Sequence, residues 1–289
     1  MTNLRILQAG DEMLLEDFLL QHTDTSMFLR SNWRTAGLVD QGEMFQGIYV
    51  AAIEDNKIVA VAAHYWNGMV VVQAPVHLEE VVQAVVTKSG KAISGIAGPA
   101  LQVAATKQAL GLANRLIQKD EREILFSLAL QDLHIPPALA SGKVQCRLPY
   151  PEELDLLTDW RVAYSVETLG QLETADLRTT SRQSLEAHQA IASHWVLVAE
   201  DTPVAYSAFN GRLPDMVQIG GVWTPPELRG RGYAKCVVAG SLLEAQSQGV
   251  QRAILFTSPD NLAAQAAYRG IGFSPTGEEF GLALFQETT

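Results

Sequence analysis

A glycine-bearing turn set between a strand pattern and a helix pattern constrains this chain more than any other feature. Met216 to Trp223 reads as a β-strand, and Pro225-Pro226-Glu227-Leu228 reads as a turn. Arg229-Gly230-Arg231-Gly232-Tyr233-Ala234 then leads straight into a helix-patterned segment. Two glycines at such a turn let the backbone approach a ligand and point its N–H groups outward. A helix that begins there adds unpaired donors and the positive end of its dipole. The combination makes a seat for a phosphate or pyrophosphate, and Arg229 and Arg231 add permanent positive charge with forked donors.

Two familiar phosphate loops do not fit. A Walker-type loop requires Gly-x-x-x-x-Gly-Lys-Ser/Thr, which the chain lacks. A dinucleotide fingerprint requires a third glycine where Lys235 stands, in an opening βαβ unit rather than late in the chain. Beyond the loop, Ala234, Val237, Val238, Ser241, Leu242 and Ala245 recur at the spacing of one helical face, with Gly249 as a stop. Ala253 to Thr257 reads as a buried strand, and Asn261 opens a short alanine-rich helix.

Arg229-x-x-Gly232-x-Ala234 resembles the pyrophosphate loop of the GNAT acetyltransferases, Gln/Arg-x-x-Gly-x-Gly/Ala. Asn261, Ala264, Tyr268, Gly272 and Phe273 resemble a second pattern of that family, Asn-x-x-Ala-x-x-x-Tyr-x-x-x-Gly-Phe. Two motifs in the right order, separated by one helix and one strand, are far more specific than either alone. The resemblance spans residues 144–289 and implies acetyl-CoA as co-substrate. By that resemblance, backbone groups of Val222 and Trp223 face the pantetheine and the thioester carbonyl. The N–H groups of Gly230, Arg231, Gly232, Tyr233 and Ala234 hold the pyrophosphate beside Arg229. Asn261 and Ala264 meet the pantetheine arm, and Tyr268 stands near the thioester sulfur as the catalytic acid. Plainer readings exist for single residues: Tyr268 as rim packing, Asn261 as a helix N-cap, and the two arginines as solvated charge.

Composition narrows the class. The chain has 289 residues, 47% of them hydrophobic, which favours two domains over one core. A net charge of −11 argues against a nucleic-acid partner. With no run of 18 apolar residues and no signal-peptide pattern, the expectation is a soluble, cytoplasmic protein without a membrane partner. Cys146 and Cys236 offer neither a disulfide framework nor zinc spacing, so no metal is expected.

The N-terminal half reads as a worn copy of the C-terminal half. Ile48 to Ile53, an acidic turn at 54–57 and Ile58 to Tyr65 repeat the layout of Trp195 to Ala199, 200–203 and Val204 to Phe209. Ala100 to Leu112 overlays Asn261 to Phe273, with Gly111 under Gly272 and Lys107 in place of the tyrosine. Ala74-Pro75-Val76-His77 stands where the glycine loop belongs. The expected fold class is therefore α/β, with two GNAT-like domains, each a mixed, mostly antiparallel sheet flanked by helices. The expected boundaries are 1–131 for a degenerate domain without a cofactor loop, 132–143 for a linker, and 144–289 for the acetyl-CoA-binding domain.

The expected chemistry is transfer of an acetyl group to a primary amine of a small, amino-acid-like acceptor, by direct attack in a ternary complex. Neither cysteine has a histidine partner in the sequence that would suggest an acyl-enzyme. Glu200, Asp201 and Asp215 are candidate bases, alongside a water chain. Trp160, Arg161, Tyr164 and Glu167, on the first helix of the second domain, are the acceptor-binding candidates, against ordinary helix packing. The rival readings are acetylation of a peptide or protein amine, and a non-catalytic acyl-CoA-binding regulator. The expected assembly is a monomer or homodimer.

Overall fold

The computed structural model describes residues 3–286. In chain order the first half runs β1 (Asn3–Ile6), α1 (Glu12–Leu19), α2 (Met27–Ala36), β2 (Gly47–Glu54), β3 (Lys57–Tyr65) and β4 (Met69–Gln73). It continues with α3 (Leu78–Ser89), β5 (Gly95–Pro99), α4 (Ala100–Ala109) and β6 (Ile117–Ala129). After a short α5 (Pro137–Ala140), the second half begins with β7 (Gln145–Arg147), α6 (Leu154–Leu169), α7 (Ala175–Ala190) and β8 (His194–Ala199). It ends with β9 (Thr202–Arg212), β10 (Met216–Trp223), α8 (Tyr233–Ser247), β11 (Arg252–Thr257), α9 (Leu262–Arg269) and β12 (Ser274–Phe285). Apart from α5, the two halves repeat one order: strand, two helices, three strands, helix, strand, helix, strand.

The chain forms two compact units. Residues 3–125 and 277–286 belong to the first, and residues 126–276 to the second. In the first, β1, β2, β3 and β4 are antiparallel neighbours, β5 lies parallel to β4, and the end of β12 lies antiparallel to β5. In the second, β7, β8, β9 and β10 are antiparallel neighbours and β11 lies parallel to β10. Within each unit the strand pairing is thus mixed and mostly antiparallel.

Local chemistry explains the shared hairpin. Asp55 and Asn56 have φ of 48° and 62°, and Glu200 and Asp201 have 49° and 60°. Positive φ at both central residues is the type I′ turn, whose twist matches the flanking strands. The acidic turns are therefore conformational devices. Asp215 lies at the start of β10, with its backbone carbonyl accepting from the N–H groups of Gln251 and Arg252. Trp223 stands eight residues further along the chain, about 26 Å away at the rise of an extended chain, which removes Asp215 from that end.

In the second unit α8 and the α6–α7 pair cover opposite faces. Val237, Val238, Ser241, Leu242 and Ala245 of α8 are buried, as their spacing predicts, and Ala234 is half-buried. Leu157, Leu185, Val196, Tyr206 and Trp223 form the core under α6 and α7. Close packing against β7 requires Gly240 in mid-helix, because a Cβ there would lie 2.2 Å from the Cys146 Cβ. Glycine lowers helix propensity by about 1 kcal/mol relative to alanine, whereas overpacking a tight core costs about 1–3 kcal/mol. Gly240→Val, bulkier and β-branched, is expected to lower the denaturation midpoint of the second unit, measured by urea titration. An unchanged midpoint would contradict this packing account.

Candidate active site

Antiparallel β9 and β10 are interrupted beside the glycine turn. Gly220 pairs with Ala208 and Trp223 pairs with Tyr206, so Gly221 and Val222 together oppose Ser207 alone. This is a β-bulge, and Gly221 supplies its positive φ of 62°. On the other side, pairing of β10 with β11 ends at Gln218–Ile254. Among the described residues, the β11-facing edge of β10 from Ile219 to Trp223 has no strand partner in this register, which is what an extended ligand needs in order to add its own hydrogen bonds.

The turn that follows has the geometry its sequence predicts. Gly230 and Gly232 have φ of 76° and 78°, and Gly232 is the N-cap of α8. Nothing lies within 4 Å of where a Gly230 Cβ would stand, so the loop is open on that side. Among the described residues, the N–H groups from Gly230 to Lys235 meet no protein acceptor. Successive donors at a helix start form an anion-binding concavity. The residues therefore fit a diphosphate.

Arg229 and Arg231 differ in their surroundings. Among the described residues, the Arg231 side chain reaches only the Glu227 carbonyl, at 3.4 Å. The Arg229 Nε donates to the Thr224 carbonyl at 3.0 Å, and its two terminal nitrogens lie 2.9 Å from the two Glu167 oxygens. The same guanidinium sits 4.9 Å over the Trp223 ring. Asn261 caps α9, its Oδ1 accepting from the Ala264 N–H at 3.0 Å, so the plain cap reading describes its oxygen. Its amide nitrogen is a separate donor, and the residue is exposed. Tyr268 is buried at the end of α9, its ring edge-on to Phe273 at 6.2 Å. The Tyr268 carbonyl accepts from the N–H groups of Ile271 and Phe273, and a Cβ on Gly272 would lie 2.7 Å from the Asp132 carbonyl oxygen. The Gly272-Phe273 part of the second motif thus closes the helix.

The four acceptor candidates on α6 separate into different settings. Trp160 packs against the core beneath α6. Tyr164 lies edge-on to Trp223 at 6.4 Å. Glu167 holds Arg229. Arg161 directs Nη1 to within 2.9 Å of where a Gly221 Cβ would stand and forms no ion pair among the described residues.

Arg161 also borders a buried polar network that the sequence did not reveal. His194 Nδ1 meets the Tyr206 hydroxyl at 3.2 Å, and His194 Nε2 meets Gln189 Oε1 at 2.8 Å. His188 meets Ser193 Oγ at 2.8 Å and stacks on His194 at 6.0 Å. Burial, reinforced by the Arg161 charge, pushes His188 down to about 4. Burial, reinforced by His188, pushes His194 down to about 4. Both imidazoles are neutral near pH 7, which leaves Arg161 as the cation at the bulge. Burial also pushes the Cys146 thiol up to about 12 and raises Cys236, so neither thiol is poised as a nucleophile.

The first unit has no equivalent cradle at the corresponding turn. The N–H of Ala74, just beyond β4, donates to Gln102 Oε1 at 2.6 Å. His77 is the left-handed N-cap of α3, bonded to Glu54 at 2.8 Å and Glu80 at 3.4 Å. Carboxylates at a helix start occupy the place where an anion would otherwise be favoured.

Residues 154–273, which lie within the second unit, match the model of the acetyltransferase (GNAT) family. A mycothiol acetyltransferase of Amycolatopsis mediterranei is 30% identical over 115 residues, which are 36% of this chain and 36% of that protein. The match thus spans about a third of the relative's length. A tandem GNAT protein from the clavulanic acid biosynthesis pathway aligns over 100% of both chains at 13% identity, with a TM-score of 0.57. A GCN5-related N-acetyltransferase from Sphaerobacter thermophilus aligns over 98% of this chain and 94% of its own, at 14% identity and a TM-score of 0.58. These likenesses establish the fold: two GNAT-like domains in tandem. No helix among the described residues is long and apolar enough to cross a membrane.

Proposed function

We propose that this protein is an acetyl-CoA-dependent N-acetyltransferase that acylates a primary amine of a small, amino-acid-like acceptor by direct attack in a ternary complex. One observation carries the reading: the N–H groups of Gly230 to Lys235 meet no protein acceptor and follow a strand whose β11-facing edge is open. The repeat units run 1–131 and 144–289 with a linker at 132–143, and the chemistry belongs to the second.

Acetyl-CoA supplies the activated acetyl carbon. The Gly230-to-Ala234 amides and Arg231 bind its diphosphate. The edge of β10 from Ile219 to Trp223 and the exposed Asn261 amide, with Ala264 beside it, orient the pantetheine. The Val222 N–H, aimed by the bulge, donates to negative charge developing on the acetyl oxygen. Loss of such a donor costs roughly 3–4 kcal/mol. The Tyr268 hydroxyl donates to the departing sulfur. The high pKa of the Cys146 thiol supports direct attack over an acyl-cysteine route. Water accepts the amine proton in this scheme, because the acidic turn at Glu200-Asp201 is a hairpin turn.

Arg161 binds the acceptor carboxylate. A hydrogen bond to a charged group contributes about 1.5–3 kcal/mol, so Arg161→Met is expected to raise KM for a carboxylated amine roughly 10–100-fold. An acceptor without a carboxylate should lose little, and coenzyme A affinity should be unchanged. Equal loss on both acceptors would reject this role. The reading as a whole is tested by thiol release from acetyl-CoA across amines, peptides and aminoglycosides. A mycothiol-type amine belongs in the panel, because a curated relative is named for mycothiol. Turnover on a small amine is expected. Coenzyme binding without turnover on any acceptor would favour a non-catalytic acyl-CoA sensor, and turnover on peptides alone would move the substrate class.

A further inference from the structure

Arg229 occupies a seat that suits a substrate ammonium. Its guanidinium is held by both oxygens of Glu167 at 2.9 Å and stacks 4.9 Å over the Trp223 ring. A carboxylate beside an aromatic face is the usual chemistry of an ammonium site. The Trp223 side chain is buried and its indole N–H has no hydrogen-bond partner among the described residues. Glu167 and Trp223 line a cleft of about 500 Å³ together with Asp159, Glu173 and Arg178. Asp159 is neutralised by Arg178 at 2.6 Å, whereas Glu173 has no ion-pair partner among the described residues. With Arg229 counted, the cleft carries three carboxylates against two guanidinium groups. Without it the balance is three against one, and the cleft favours a cation.

Arg229 also stands at the first position of the glycine turn, next to the amides that meet no protein acceptor. Its pair with Glu167 is half-exposed, 43% and 50% for the two side chains, and an exposed pair contributes at most about fivefold to an equilibrium constant. A diphosphate seated on the neighbouring amides presents more charge than one carboxylate and competes for the same guanidinium. We infer that Glu167 and Trp223 form the acceptor's ammonium seat, which Arg229 fills until the coenzyme diphosphate draws it away. The inference rests on the acetyltransferase reading above and adds a coupling to it: coenzyme binding creates the site for a cationic acceptor. Glu167 is an acceptor-binding residue in this account, because its carboxylate touches the ammonium directly. The device is written in residues 62 apart in the chain.

Glu167→Gln in the full-length protein tests it, with Glu167→Asp as the conservative variant. Removing the internal competitor should tighten coenzyme A binding two- to fivefold by calorimetry. The same change should raise KM for the best amine of the panel at least tenfold with kcat much less affected, and Glu167→Asp should recover part of that KM. Weaker coenzyme binding in Glu167→Gln would mean that the pair merely holds the loop in shape, and would overturn the inference. Unchanged affinities for both ligands would also overturn it while leaving the acetyltransferase reading intact. Failure of the unaltered protein to bind coenzyme A would remove both. Because Glu167 is exposed, melting temperature should stay constant, and a fall in it would mark a structural role instead.

Discussion

Gly232→Val is expected to lower coenzyme A affinity at least about a hundredfold, close to 2.7 kcal/mol. Gly232 has a φ of 78° at the N-cap of α8. A β-branched residue is a steric outlier there, and the left-handed conformation costs about 1–2 kcal/mol for an L-residue. The added Cβ would also stand 3.1 Å from the Lys235 side chain. The chain can relieve this only by rotating peptide planes, and those planes carry the donors of the cradle. Hydrogen bonds to a charged acceptor contribute about 1.5–3 kcal/mol each, so misdirecting two of them accounts for the expected loss. Gly230→Ala provides a graded comparison. Nothing crowds a Cβ at that position, so only the conformational cost remains and the loss should be smaller. Calorimetric titration of coenzyme A reads both variants. Unaltered affinity in Gly232→Val would mean that the amides are not the binding groups.

Tyr268→Phe is expected to lower kcat about 10²–10⁴-fold, the usual contribution of a positioned general acid. The ring packs edge-on to Phe273, and phenylalanine keeps that contact. Melting temperature and coenzyme A affinity should therefore change little. The alternative, a packing tyrosine whose hydroxyl serves stability alone, predicts the reverse: a lower melting temperature with kcat preserved. Circular-dichroism melting and steady-state thiol release, run on one preparation, separate the two.

The parts of the site that could be read in the sequence are those encoded locally. A glycine turn before a 3.6-residue period fixed the start of α8, and the positive φ of Gly230 and Gly232 follows from the residues themselves. The hairpins at Asp55-Asn56 and Glu200-Asp201 were likewise visible as short polar turns between apolar runs. The bulge at Gly221-Val222 was half visible: paired glycines inside a strand pattern are its signal, but the opposing Ser207 can be identified only from the register. Features made by long-range packing were not legible. The Glu167–Arg229 pair joins a helix to a loop far along the chain. The His188–His194–Tyr206 network depends on α7 lying over β8 and β9. The bond from the Ala74 N–H to Gln102 links a loop to a helix 28 residues away.

That last bond gives the sequence repeat a physical meaning. Both halves build the same order of strands and helices, so the fold tolerated divergence at the turn after the fourth strand. In one half the turn presents unpaired amides at a glycine N-cap. In the other, Gln102 takes the Ala74 amide, and Glu79 and Glu80 stand in the first turn of α3. The difference is one of donors and charge at a helix start, which is the quantity that decides whether an anion is bound there.

The most direct test of the central claim is a crystal structure of the full-length protein with coenzyme A. The account predicts density for the diphosphate within hydrogen-bonding distance of the backbone nitrogens of residues 230–234, with the pantetheine running along the edge of β10 from Ile219 to Trp223. Diphosphate density elsewhere, with those amides facing only solvent, would contradict it.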